Sequence, residues 1–68
     1  MNTGTLRTWK EDRGFGFIAR DDGAPDIFVH VTELRSGRVN AGDAVQFEIG
    51  KSERNGRTVA TRVTVLAR

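Results

Sequence analysis

The chain has 68 residues, no cysteine and one histidine, with 11 Lys plus Arg against 9 Asp plus Glu for a formal net charge of +2. That length holds one domain, residues 1–68, and the composition leaves no room for a disulfide framework or a zinc cluster. No apolar run approaches the ~20 residues of a membrane span, and Asn2-Thr3-Gly4-Thr5 is too polar for a signal-peptide core, so a cytoplasmic protein with no membrane partner is the expectation.

Gly4 to Trp9 reads as a first strand, with Leu6 inward and Thr5, Arg7 and Trp9 alternating against it. Glu11-Asp12 is a charged turn. Residues 14–20 form a second strand. The Asp21-Asp22-Gly23-Ala24-Pro25 stretch is a dense turn signal, and residues 26–31 form a third strand just after Pro25, where the missing N–H does no harm. Thr32-Glu33-Leu34 reads as one helical turn, with Leu34 plugging the core. Arg35-Ser36-Gly37-Arg38 is a basic loop, Val39 a second anchor, and Asn40 to Asp43 another turn. Ala44 to Gly50 alternates, with Val45, Phe47 and Ile49 inward and Gln46 and Glu48 outward. Lys51 to Gly56 is a polar loop with an Asn-Gly hairpin signal. Arg57 to Leu66 is the last strand, its period broken near Ala60-Thr61 as by a bulge. No stretch keeps a 3.6-residue period over three turns. Five short strands in a chain this small point to an all-β closed barrel, because closure removes exposed edges.

Residues 13 to 31 carry the chemistry. Phe15 and Phe17 sit two apart with Gly14 and Gly16 between and before them, and Phe28 and His30 repeat the spacing after the turn. Residues i and i+2 share a strand face. If these strands pair, one face shows Phe15, Phe17, Phe28 and His30, and the other shows Ile18, Ile27, Val29 and Val31. The aliphatic face is the core, since a sheet can bury one face and leave the other wet. The aromatic face then lies in water, and exposed rings flanked by cations are a platform for stacking unpaired bases. Trp9 reads either as a core plug or as the platform's edge. Arg7, Lys10 and Arg13 are candidate phosphate or base contacts, the alternative being pairs with Glu11, Asp12 or Asp26. Residues 1–34 carry four basic and six acidic side chains, and residues 35–68 seven and three. The loop cations Arg35, Arg38, Arg54 and Arg57 would therefore have to fold towards the platform.

Arg13-Gly14-Phe15-Gly16-Phe17-Ile18 and Ile27-Phe28-Val29-His30-Val31 resemble the two RNA-binding signatures of cold-shock domains. Gly4-Thr5-Leu6-Arg7, Asp21-Asp22-Gly23, Ala41 to Phe47 and Gly56 to Val63 are similar to further family segments, so the resemblance covers nearly the whole chain. It implies a five-stranded antiparallel barrel of the oligonucleotide-binding (OB) fold. It also implies binding of single-stranded RNA or DNA, with an RNA-chaperone or transcript-regulating role. The implied nucleic-acid contacts are Phe15, Phe17, Phe28 and His30 at stacking positions, with Trp9, Lys10 and Arg13 at further family positions. The residues themselves add Arg7, Arg35, Arg38 and Arg57 as candidate contacts, a solvated surface charge being the alternative for the loop arginines.

The chain departs from the family pattern at Thr8, where a stacking Trp is usual, and at Val31, where Phe is common. The 35–39 loop is shorter by about three residues and lacks its aromatic, and the 57–63 segment is longer by one. A binder with a weaker or shorter footprint, more dependent on arginine, is expected. The alternative is a small barrel that binds protein and has lost its nucleic-acid ligand. A lone histidine and the absence of cysteine give no catalytic or metal constellation, so no enzyme, cofactor or small-molecule substrate is expected. A monomer is expected, with a dimer as the alternative.

Overall fold

The computed structural model describes residues 2–35 and 37–67, and of Ala67 only the backbone. Ser36 of the basic loop lies outside the described residues. Five strands follow in order: β1 (Asn2–Lys10), β2 (Phe15–Arg20), β3 (Ile27–His30), β4 (Ala44–Lys51) and β5 (Thr58–Ala67), with a single 3-10 turn at Val31–Glu33. They close into a barrel in the spatial order β1-β2-β3-β5-β4. Four of the seams are antiparallel, but β3 and β5 pair parallel, through Phe28 opposite Val59 and Val29 opposite Ala60. The antiparallel barrel expected above is corrected at this seam for a reason of parity: strand direction cannot alternate all the way round a ring with an odd number of strands.

The core is Leu6, Ile18, Ile27, Val29, Val39, Val45, Phe47, Ala60 and Val63, all buried, with Trp9, Leu34 and Val65 packed against it. Phe47 is the largest of the fully enclosed side chains. Asp43 is buried too, and its carboxylate accepts a hydrogen bond from the Asn40 amide at 2.9 Å, which fixes the turn before β4. That turn is tied to β1 through Leu6 N to Asp43 O and Gly42 N to Leu6 O. In the turn between β2 and β3, Asp22 accepts from the Ala24 amide at 3.0 Å and from Arg20 Nη2 at 2.7 Å. These two contacts, the backbone one first, hold its carboxyl below the usual aspartate value.

Bulges decide which way several side chains point. On β5, Thr61 and Thr64 face Glu48 and Gln46, so two residues, Arg62 and Val63, oppose Phe47 alone. The break expected at Ala60-Thr61 thus falls just beyond it. Arg62 takes the left-handed conformation there, with φ of 50°, at a bulge position that favours glycine. A second bulge between Val65 and Ala67 leaves Leu66 as the extra residue, and Leu66 is exposed. On β1 the register shifts between Leu6 and Thr8, which makes Arg7 the extra residue.

Two apolar residues placed inward by alternation are exposed instead. Val31 is 45% exposed, because the strand ends at His30 and the chain winds into the 3-10 turn. Ile49 is 44% exposed. Its partner Ala60 is buried, but β1 covers β4 only from Ala44 to Phe47, so Ile49 has a strand neighbour on one side alone.

Arg62→Gly is expected to stabilise the protein. A non-glycine residue in the left-handed region costs about 1 to 2 kcal/mol, whereas the Arg62–Glu48 pair that is lost is exposed on both sides and worth little. Glycine's unfolded-state entropy takes back part of the gain. A net rise of about 0.5 kcal/mol corresponds to a melting temperature higher by roughly 2 to 4 °C for a domain of this size, which calorimetry resolves.

Candidate nucleic-acid interface

β2 and β3 pair with Phe15 opposite His30 and Phe17 opposite Phe28, while Gly16 faces Val29 and Ile18 faces Ile27. The register therefore sorts the side chains as the spacing requires: rings outward, aliphatic groups inward. Phe15 and Phe28 stack with centroids 5.6 Å apart and planes at 26°. Phe17 meets both edge-on, at 5.7 Å from Phe28 and 6.4 Å from Phe15. The three rings hold one another in place, so little side-chain freedom remains to be lost when a base stacks on them.

His30 ends the row. Its Nδ1 lies 3.0 Å from Thr32 Oγ1 and accepts from the Thr32 amide at 3.3 Å, capping the 3-10 turn. With Nδ1 accepting, the neutral ring carries its proton on Nε2. An exposed histidine is thus presented as a hydrogen-bond donor beside the stacked rings.

Trp9 is corrected. It pairs with Gly16, not with a ring-bearing residue, and packs against the core. The reason is the β1 bulge: one extra residue after Leu6 reverses the alternation, sending Thr8 and Lys10 to the aromatic face, opposite Phe17 and Phe15, and Trp9 to the core side. The indole fills the space that Gly16 leaves empty. Thr8 therefore stands beside Phe17, and β1 adds no ring to the platform.

The cations divide. Lys10 shares the face of Phe15, and Arg13 lies exposed in the turn between β1 and β2. Arg7 pairs with Asp26 across β2, Nε to Oδ2 at 3.3 Å, so its charge is partly spent on a protein carboxylate. Arg57 lines a groove of about 400 Å³ together with Phe17, Phe28 and Asp26. Arg54 and Lys51, which the sequence marks only as loop cations or not at all, line a second groove of about 780 Å³ with Phe28 and His30. Arg35 and Arg38 line neither groove; the Arg35 amide is held to the Val63 carbonyl at 2.7 Å. Glu33, also missed, lines the larger groove and accepts from the Arg62 amide at 3.4 Å, tying the 3-10 turn to the β5 bulge. Its proximity depends on that bulge, which sequence spacing does not fix. Among the described residues no group of His, Cys, Asp and Glu could hold a metal ion, and no helix is long and apolar enough to cross a membrane.

Known proteins agree with this geometry. The family model of the 'Cold-shock' DNA-binding domain matches residues 2–66. The chain is 39% identical to cold shock-like protein CspG of Escherichia coli over 66 residues, covering 93% of both chains. It is 39% identical to a cold shock protein of Arthrobacter globiformis over 69 residues, covering 97% of this chain and all of that one. Among solved structures, drosophila Unr CSD456 superposes with a TM-score of 0.77 at 30% identity, over 96% of this chain and 26% of that one. The OB-fold barrel and the paired signatures thus stand together: the chain belongs to the cold-shock domain family, whose members bind nucleic acid.

Proposed function

We propose that the chain is a cytoplasmic, monomeric binder of single-stranded RNA or DNA that stacks unpaired bases on Phe15, Phe17 and Phe28. The observation that carries this reading is the mutually braced ring cluster open to solvent between two grooves. His30 Nε2 donates to a base edge, and Lys10, Arg54 and Arg57 meet phosphates. Stacking accepts any base, because every base has a π-face, so the site tells unpaired from paired strands better than it tells sequences apart. Binding only the unpaired form pulls a hairpin open by mass action, which is the physical content of an RNA-chaperone or transcript-regulating role. Thr8 and the shortened 35–39 loop supply no rings, which supports a shorter footprint than the family's two signatures imply on their own.

The test is anisotropy of a short labelled oligothymidylate, its uridylate counterpart and a blunt duplex of equal length. Both single strands are expected to bind, and the duplex at least about tenfold more weakly. Three cations on phosphate give a log–log salt slope of roughly −2 for a single strand. Equal affinity for the duplex, or no binding at low salt, would refute the reading. A labelled strand is needed because Trp9 lies on the core side, where its emission is expected to change little.

A further inference from the structure

The two grooves share four residues: Phe28 and Val59 on the sheet, and Ser52 and Asn55 in the loop between β4 and β5. Ser52 and Asn55 form a rib across the edge of the platform. Arg54 lies on the His30 side of it and Arg57 on the Phe17 side.

The rib is built from local hydrogen bonds. The Ser52 amide donates to the Arg57 carbonyl, and the Gly56 amide to the Ser52 carbonyl, each at 2.8 Å. Ser52 Oγ accepts from the Arg54 amide at 3.2 Å, and Asn55 Oδ1 accepts from the Arg57 amide at 2.9 Å. Each side chain thus bends the backbone two residues on, and in each case that residue is an arginine. Among the described residues neither guanidinium forms an ion pair.

An ordinary polar loop would leave two long cations free to sample solvent, and ordering them on binding costs entropy. Here the loop backbone is fixed first. From this geometry we propose that Asn55 is a positioning residue that delivers Arg57 to the Phe17–Phe28 end of the platform, and that Ser52 does the same for Arg54 at the His30 end. This rests on the single-strand binding proposed above and adds to it how the cations are placed. Asn55 acts through Arg57: with its Oδ1 already engaged, its contribution to binding is the orientation of the next arginine.

A double-mutant cycle tests this, with the labelled oligothymidylate as probe. Losing the one hydrogen bond in Asn55→Ala is expected to weaken binding about two- to tenfold and to make the salt slope shallower by just under one phosphate contact. Asn55→Ser, which keeps an acceptor for the same bend, restores most of the affinity. In an Arg57→Ala background, Asn55→Ala adds no further loss. Amide exchange at Arg57 reports on the loop without ligand: it is faster in Asn55→Ala and slower again in Asn55→Ser. The proposal is overturned if Asn55→Ala leaves affinity and salt slope unchanged, if its loss persists undiminished without Arg57, or if Arg57 amide exchange does not respond. A wild-type protein that fails to bind the probe at all overturns the binding reading itself, a result distinct from any of these.

Discussion

Phe28→Ala is expected to weaken single-strand binding by about 2 to 3 kcal/mol, or roughly 30- to 150-fold, at the upper end for one stacked base. The size follows from its place. Phe28 makes the two closest ring contacts, face-on with Phe15 and edge-on with Phe17, and it borders both grooves. Removing it takes away one stacking surface and also frees Phe15 and Phe17 to rotate, so the entropy they no longer hold in check is lost from their own stacks. Phe17→Ala, at the end of the row, is expected to cost about 1 to 2 kcal/mol. Stability changes little, since Phe28 is only half-buried on the outer face and stands outside the core cluster. Titration of the labelled strand at fixed salt, with thermal melts as the control, separates the two effects. A Phe28→Ala protein that binds within twofold of wild type would remove the platform as the binding surface. A protein whose salt slope falls along with its affinity would point instead to displaced loop cations.

The platform was legible in the sequence because it needs only two facts, the period of a strand and the pairing of two neighbouring strands. Phe15, Phe17, Phe28 and His30 obey both. The core positions Leu6, Val45 and Phe47 were legible for the same reason. Where simple alternation breaks, a bulge or a strand end intervenes. Strict alternation from Leu6 leaves Trp9 open between core and platform, because the count breaks at Arg7, the residue the bulge inserts. One extra residue turns the next stretch over, so the usual family ring position Thr8 faces the platform while the indole faces the core. Val31 and Ile49 fail at ends, where a strand loses its neighbour or becomes a turn. That a closed five-stranded ring has a parallel seam follows from strand number alone, whereas its place between β3 and β5 depends on the strand order. The loop rib was not legible, since its form depends on hydrogen bonds from Ser52 and Asn55 that propensity suggests but does not specify.

Gly16→Ala is expected to destabilise the protein by about 3 kcal/mol or more, at or above the upper range for an overpacked site. A Cβ at Gly16 would run into the Thr8 carbonyl oxygen and come within 2.7 Å of Trp9 Cε3. Neither neighbour yields easily. The carbonyl belongs to the β1 backbone just after its bulge, and the indole is packed against the core. A domain this small holds on the order of 3 to 10 kcal/mol in total, so the variant loses a third of its stability at least and populates the unfolded chain on mild heating. Gly23→Ala is the control. Gly23 has a φ of 81° with nothing within 4 Å of the added carbon, so it isolates the cost of the left-handed backbone, about 1 to 2 kcal/mol. Urea midpoints for both variants decide the matter: if Gly16→Ala costs no more than Gly23→Ala, the close approach of β1 and β2 is not what the glycine is for. Trp9→Leu in the Gly16→Ala background sharpens it further. Removing the ring relieves one of the two collisions but leaves the carbonyl, and it opens space where the indole packed, so only partial recovery is expected. The glycine between the two signature phenylalanines thus serves the inner face of the sheet. It lets the indole lie beneath the platform and the strand that carries the rings sit this close to β1.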